Sequence, residues 1–195
     1  MRTVSLIIVH CSANKAGSAL RAEDIDRYHR SLGWKCCGYH YVIPTDGTIE
    51  AGRPEELVGA HCKNHNSHSI GICYIGGLDD GGTTPKDTRT EAQKATLRKL
   101  IEQLHQRYPK ALIVGHHDLN PQKACPCFHV TAEYIRLATL VASVVLSAIH
   151  RPARNIWMTL IKLINFFKRK RMKNSSLPPS YCQKRIPALY CGANA

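Results

Sequence analysis

The sequence has no apolar segment long enough to cross a membrane as a helix. A spanning helix needs roughly 18 to 20 consecutive apolar residues, whereas the uncharged apolar run at residues 137–149 has 13. A second run at residues 156–167 is interrupted by Lys162. The N-terminus also lacks a charged and then apolar leader with a small-residue cleavage site. We therefore expect synthesis in the cytoplasm without a signal peptide.

Acidic residues are absent from the C-terminal third of the chain. Residues 134–195 contain 11 Lys and Arg and no Asp or Glu, whereas residues 1–133 contain 16 Lys and Arg and all 14 acids. The net charge of +13 is therefore carried almost entirely by the tail. The tail has neither a recognised nucleic-acid motif nor regularly spaced aromatic residues, so we expect no specific nucleic-acid partner. We predict a body at residues 1–133 and a basic, apolar C-terminal tail at residues 134–195.

The tail admits several interpretations. Its apolar runs could form helices that, with the basic cluster at residues 168–173, lie on an anionic membrane, where each basic residue contributes about 1 kcal/mol. The cluster could instead contact acidic wall polymers, or the segment could have no selected role. The first apolar run could also extend a terminal helix of the body that begins near Thr131 and buries Tyr134.

The nine cysteines do not form a regular disulfide framework. Their number is odd and their spacing is irregular. Together with the missing leader, this pattern favours folding in a reducing compartment.

Short apolar segments alternate with helical patterns along residues 1–133. Strands are predicted at residues 4–9, 39–43, 48–51, 70–75 and 111–114, the second and third joined by a tight turn at Asp46-Gly47. Apolar residues at helical spacing, namely Ile25, Tyr28, His29 and Leu32, predict a helix over residues 22–32 that stops at Gly33. A longer helix is predicted to begin at the capping box of Thr90 and Gln93, with an apolar stripe made of Leu97, Leu100, Ile101, Leu104 and Tyr108. Residues 78–87 are predicted to form a loop. The pattern predicts an α/β fold with a central mixed β-sheet flanked by helices.

Histidine and cysteine residues follow two of the predicted strands. His10 ends the first strand, His116 follows the last one, and Cys125 comes after a short loop. Two imidazoles and a thiolate suit zinc, and three protein ligands leave one coordination position open, as a hydrolytic site needs. The chemistry alone does not decide between His116 and its neighbour His117, or between Cys125 and Cys127.

Six motifs carry a resemblance to a known family. They are residues 8–13, 38–40, 46–48, 69–72, 115–121 and 123–126. In order and spacing the chain resembles, over about residues 5–133, the zinc N-acetylmuramoyl-L-alanine amidases of the phage lysozyme type, which are related in fold to the peptidoglycan recognition proteins.

The resemblance implies an activity and a set of site residues. The enzyme would cut the amide between the lactyl group of N-acetylmuramic acid and the L-alanine of the stem peptide. The family's metal ligands fall on His10, His116 and Cys125, which implies one Zn²⁺ that activates a water molecule. Tyr39 is implied to orient that water or relay a proton, and Lys123 to stabilise the oxyanion.

Other positions follow from the same resemblance. His61 and Asn66 lie where the family lines its substrate groove, so substrate binding is implied for both. Asp118 is expected to fix the orientation of a ligand or to order the loop before Cys125. The chain departs from the family's pattern at Cys127, where a small residue is common; this thiol could capture the metal or form a disulfide with Cys125.

Two other functions compete with this interpretation. Members of the same fold hold peptidoglycan without cutting it, although they usually lack the cysteine ligand, which is present here as Cys125. A cytosolic amidase that recycles wall fragments would need no export. The absence of a leader favours a phage or prophage endolysin that reaches the wall after release from the cell. We expect a monomer whose partner is peptidoglycan.

Overall fold

The computed structural model describes residues 2–134, which form a five-stranded sheet with helices around it. The strands are β1 (Leu6–Cys11), β2 (Asn14–Lys15), β3 (Tyr41–Ile43), β4 (Glu50–Ala51), β5 (Ser69–Tyr74), β6 (Gly77–Leu78) and β7 (Leu112–Gly115). The α-helices are α1 (Ala22–Ser31), α2 (Glu91–Arg107) and α3 (His116–Leu119), and a 3-10 turn covers Asn66–His68. Residues 130–134 are also helical.

The sheet has the order β4-β3-β5-β1-β7. Neighbouring strands are parallel except for the hairpin of β3 and β4, so the mixed sheet predicted from the sequence is confirmed. All residues of β1 and β5 are buried, which explains why these strands are continuous apolar runs rather than alternating ones. In the register of β1 with β7, Val9 is opposite Gly115. His10 follows Val9, and His116 follows Gly115 as the first residue of α3, so both lie at the same edge of the sheet.

Helix α1 has the predicted position but a narrower buried face than its spacing suggests. Ile25 and His29 are buried, whereas Tyr28 and Leu32 are 60% and 52% exposed. The helix contacts β3, and within residues 2–134 the spacing of these four residues therefore marks the helix correctly while only two of them are buried. Gly33 ends the helix at φ +85°, as expected for a C-terminal glycine.

Helix α2 confirms the predicted capping box. The backbone N–H of Gln93 donates to Thr90 Oγ1 at 3.1 Å, and the N–H of Thr90 donates to Gln93 Oε1 at 3.0 Å. Gln93 is fully buried and also donates from Nε2 to the carbonyl oxygens of Ile43 and Ile75, at 3.0 Å each. The N-terminal end of the helix is thus tied to the ends of β3 and β5. The buried stripe consists of Leu97, Leu100, Ile101 and Leu104, and each side chain contributes about 1.5–3 kcal/mol by burial.

Two predictions on the periphery have different outcomes. The segment at residues 78–87, predicted as a loop, begins with Leu78 in β6, which pairs in parallel with β2, so the prediction misses a short second sheet. Tyr134 is buried, 1% exposed. The rest of the predicted basic tail lies outside the described residues. Within residues 2–134, the helices are all too short or too polar to cross a membrane.

Candidate metal centre and active site

Three side chains that suit a metal ion meet at one edge of the sheet. His10 lies near the end of β1, His116 begins α3 directly after β7, and Cys125 lies on the loop that follows α3. Their ligand atoms all lie within 4.8 Å of one another, and Cys125 Sγ is 3.8 Å from His10 Nδ1. Two imidazole nitrogens and one sulfur form a donor set that fits zinc and leaves a coordination position for a small molecule.

The structure separates the two neighbouring histidines. His116 faces His10, with 4.6 Å between the ring centroids. His117 turns away, and its Nε2 lies 3.1 Å from Asp118 Oδ1. Asp118 also accepts the backbone N–H of Gly115 at 2.8 Å through Oδ2. Asp118 therefore orders the first turn of α3 and fixes the position of His116 at the start of that helix.

The two neighbouring cysteines are separated in the same way. Cys125 Sγ accepts the backbone N–H of Cys11 at 3.2 Å, which fixes the position of the sulfur. Cys127 Sγ lies 3.8 Å from Cys11 Sγ and 3.2 Å from the carbonyl oxygen of Gly77. Among the described residues, only Cys125 brings its sulfur into the cluster with His10 and His116.

His10 is held as a neutral imidazole. It is 1% exposed, and burial, followed by the proximity of His61 and His116, lowers its pKa well below the usual value. Its Nε2 atom lies 3.0 Å from His61 Nδ1, so the opposite nitrogen, Nδ1, faces Cys125. A neutral ring with a free lone pair is the form that binds a metal.

His61 occupies a slot lined by two glycines. A Cβ atom at Gly71 of β5 would lie 2.6 Å from the His61 ring, and one at Gly59 would lie 2.5 Å from it. The Nε2 atom of His61 lies 3.3 Å from Ser69 Oγ. Burial lowers the pKa of His61 well below its usual value, so this ring is also neutral. The ring is positioned against His10 rather than toward open solvent.

Asn66 shapes the loop that carries His61. Its Oδ1 accepts the backbone N–H groups of His61 and Cys62, both at 2.8 Å. The side chain is half-buried. Substrate binding by His61 and Asn66 stays a prediction, and the structure gives each of them a contact that holds the site together.

Tyr39 and Lys123, the two candidate catalytic residues, each lie near one of the histidines. The Tyr39 ring centroid is 5.2 Å from that of His10. Burial raises the pKa of the Tyr39 hydroxyl well above its usual value, with nearby thiols acting in the same direction, so the phenol keeps its proton. Lys123 is exposed. The pKa of His116 is lowered by burial and then by the positive charge of Lys123, which places that charge near the cluster.

Sequence reasoning missed the residues that hold the loop of Cys125. The Tyr74 hydroxyl donates to the carbonyl oxygen of Pro126 at 2.7 Å. The Arg89 guanidinium lies 3.2 Å from the centroid of the Phe128 ring and pairs with Asp87 and Glu133 at 2.8 and 2.9 Å. These contacts hold the chain on both sides of Cys127. In the sequence Tyr74 looks like any residue of a buried strand, and Arg89 looks like a surface charge. Nothing in the sequence therefore indicates that either residue contacts the loop of Cys125.

Comparison with known proteins places this site in a family. A family model described as N-acetylmuramoyl-L-alanine amidase matches residues 1–128. The chain belongs to this amidase family. The amidase is 42% identical to the endolysin of Enterobacteria phage K11 over 139 residues, which cover 71% of this chain and 90% of the relative. The predicted family and the predicted enzyme class, an N-acetylmuramoyl-L-alanine amidase, are therefore confirmed.

Solved structures show the same architecture. The amidase resembles the N-acetylmuramoyl-L-alanine amidase LysC from Clostridium intestinale URNW with a TM-score of 0.58 and 28% identity, over 69% of this chain and 84% of that chain. It resembles wild-type Drosophila PGRP-LB with a TM-score of 0.57 and 24% identity, over 69% of this chain and 81% of that chain. At 24% identity, the similarity to PGRP-LB supports the fold and not the function. The predicted fold class is confirmed.

Proposed function

We propose that this amidase cuts the bond between the lactyl group of N-acetylmuramic acid and the L-alanine of the stem peptide, with Zn²⁺ held by His10, His116 and Cys125. The observation that carries the proposal is the convergence of these three ligand atoms within 4.8 Å in a chain of this family. When bound, zinc supplies Lewis-acid chemistry, which lowers the pKa of water to about 7 and polarises a carbonyl group.

The chain's own side chains supply the remaining chemistry. Lys123 carries a positive charge near His116, where it would stabilise the negative charge that develops on the amide carbonyl oxygen. Tyr39 keeps its proton and would donate a hydrogen bond that orients the attacking water or, later, the leaving amine. Both groups would act on a substrate held at the edge of the sheet.

His61 and Asn66 take different parts in this proposal. Both ring nitrogens of His61 face protein atoms, His10 on one side and Ser69 on the other, so we assign it mainly to positioning His10. Substrate contact by His61 would then involve the ring edge. Asn66 uses its Oδ1 within the loop, which leaves the amide nitrogen for a carbonyl oxygen of the stem peptide.

Peptidoglycan is the proposed partner, and the wall is the proposed place of action after release from the cytoplasm. The relatives named endolysin, among them that of phage K11, support this assignment. The catalytic domain at residues 1–133, the monomeric state and the contact of the tail with an anionic membrane or wall polymers remain predictions. A cytosolic amidase that acts on wall fragments is the second physiology compatible with the same chemistry.

Digestion of purified peptidoglycan by the zinc-loaded full-length protein tests the proposal. We expect free L-alanine amino termini without new reducing sugar ends, measured by mass spectrometry and terminal labelling. Activity and bound zinc should both be lost in His116→Ala and kept in His117→Ala, which removes the neighbouring ring that faces away from His10.

Two results would contradict it. New reducing ends would identify a glycosidase. Wall binding by folded, zinc-loaded protein without any cleavage would identify a peptidoglycan-binding module instead.

A further inference from the structure

Two thiols lie beside the candidate metal ligands His10, His116 and Cys125. Cys11 follows His10 on β1, and Cys127 lies two residues after Cys125. Their Sγ atoms are 3.8 Å apart, and both thiols are free. Cys11 is buried, 6% exposed, whereas Cys127 is half-buried. The pair joins the two chain segments that carry His10 and Cys125.

The surrounding backbone makes room for this pair. A Cβ atom at Gly77 would lie 2.5 Å from Cys11 Sγ and 2.7 Å from Cys11 Cβ, so any larger residue there would displace the thiol. Cys127 itself has φ +69°, in the left-handed region that residues other than glycine rarely adopt. In this conformation its sulfur contacts Cys11 and the Gly77 carbonyl oxygen.

We propose that Cys11 and Cys127 form a disulfide when the protein meets a small-molecule or protein disulfide. The half-buried Cys127 thiol gives up its proton as its sulfur attacks a sulfur of that oxidant, which gives a mixed disulfide and releases one thiolate. The sulfur of Cys11 then attacks Cys127 Sγ and displaces the second thiolate. The two protein thiols lose two protons and two electrons, and the external disulfide is reduced to two thiols.

The geometry needs only a modest adjustment. An S–S bond is about 2.05 Å long, so the two sulfurs must approach by a little under 2 Å. A Cβ atom at Gly77 would also lie 3.7 Å from Cys127 Sγ, so the missing side chain leaves space beside both sulfurs. Disulfides persist outside the cytoplasm, so the bond would form after release and not during synthesis.

The bond would leave the candidate metal ligand intact. Cys125 Sγ accepts the N–H of Cys11 and faces His10, so it remains available to the metal while Cys127 is consumed. The cross-link would tie the segment after His10 to the segment after Cys125. The rival product, a Cys125–Cys127 disulfide, would remove a ligand. The proposal does not depend on the catalytic activity.

Disulfide mapping of the zinc-loaded full-length protein tests this inference. The protein is incubated with oxidised glutathione, free thiols are alkylated, and a non-reducing tryptic digest is read by mass spectrometry. We expect peptide 3–15 to be linked to peptide 124–136, with fragmentation that places the bond at Cys127 and leaves Cys125 alkylated. The link should be absent in Cys127→Ser and present in Cys36→Ser, a control that removes a half-buried thiol elsewhere.

Zinc retention is measured on wild-type protein alone, so it does not depend on whether the variants fold. Oxidised wild-type protein should keep its zinc against a chelator at least as well as reduced protein. Faster zinc loss on oxidation would mean that Cys125 is consumed and would overturn the proposal. A bond that persists in Cys127→Ser, a link from Cys11 to Cys182 or Cys191, or full alkylation of Cys11 after oxidation would each overturn it as well.

Discussion

The Nε2 atom of His10 lies 3.0 Å from the Nδ1 atom of His61, and the opposite nitrogen of His10 faces Cys125 Sγ at 3.8 Å. His61 Nε2 in turn lies 3.3 Å from Ser69 Oγ. If His10 Nδ1 binds the metal, His10 donates from Nε2 to His61 Nδ1, and His61 donates from Nε2 to Ser69 Oγ. The lone pair on His10 Nδ1 is then directed at the site where the metal ligands converge.

Replacing His61 should weaken zinc binding without removing a ligand. In His61→Leu the N–H of His10 loses its acceptor, and ring orientation is no longer fixed. Loss of such a supporting partner typically costs 10–100-fold in metal affinity, so we expect a decrease of about that size. Competition titration with a zinc indicator measures it.

His61→Asn distinguishes hydrogen bonding from packing. Its Oδ1 can accept the same N–H, so we expect an affinity within a few-fold of wild type. His65→Leu serves as the matched control, because this half-buried histidine pairs with His68 on the same loop and away from His10. Equal losses in the Leu and Asn variants at position 61 would show that the ring only fills space.

The meeting of candidate ligands at one sheet edge could be predicted from strand ends, whereas the choice of His116 over His117 and of Cys125 over Cys127 came from the family resemblance. His10 and His116 follow apolar runs, and the carboxyl ends of neighbouring parallel strands meet at one edge of a sheet. Cys125 is separated from His116 by a loop too short to carry it far. The capping box of Thr90 was likewise local, since both of its hydrogen bonds span three residues.

The supporting contacts could not be predicted because they join distant segments. The slot for His61 exists only because Gly71 of β5 lies beside the loop, which the spacing along the chain does not reveal. Arg89 is buried because Glu133 and the Phe128 ring meet it from the end of the described chain. The exposure of Tyr28 depends on what covers α1, which is also a tertiary property.

The hydroxyl of Tyr39 should matter for the chemical step and little for metal binding. Tyr39→Phe keeps the ring that packs 5.2 Å from His10 but removes the proton donor. General acid–base groups typically contribute 10²–10⁴-fold, so we expect kcat to fall by roughly 100-fold or more. Zinc content and KM should stay close to wild type. Kinetics on a soluble muropeptide with zinc analysis of the same samples check this; a rise in KM with unchanged kcat would assign Tyr39 to substrate binding.

Removing the charge of Lys123 should lower kcat through the transition state. Lys123→Met keeps a long side chain and abolishes the positive charge near His116. Loss of one oxyanion-stabilising donor typically costs 10²–10³-fold, and we expect a decrease of about that size with zinc affinity unchanged. Lys110→Met, which neutralises an exposed lysine on another loop, should leave kcat unaltered. Equal rates for the two variants would exclude Lys123 from the reaction.

Buried His40 should make the fold sensitive to acid. The ring is 1% exposed, accepts the N–H of Gly71 at 2.9 Å through Nδ1, and has Nε2 3.1 Å from the carbonyl oxygen of Leu57. Burial lowers its pKa from 6.5 to about 4. Between pH 6.5 and about 4, His40 is protonated in the unfolded chain and neutral in the folded chain. The unfolding free energy therefore decreases as the pH falls through this range. The difference corresponds to about 3 kcal/mol of unfolding free energy.

Urea unfolding at a series of pH values, with chelator present so that zinc release does not contribute, measures this effect. From neutral pH to about pH 4, wild-type protein should lose about 3 kcal/mol more than His40→Gln, which keeps a neutral polar side chain and cannot be protonated. Burial also lowers the pKa values of His10 and His29, and their contributions to the slope cancel in the comparison. His61 does not cancel fully, because His40 as well as burial lowers its pKa, so the measured difference includes the coupling of these two rings. Parallel pH profiles for the two proteins would show that His40 is protonated in the folded state without cost, as would happen if the loop at Leu57 opened to let water reach the ring.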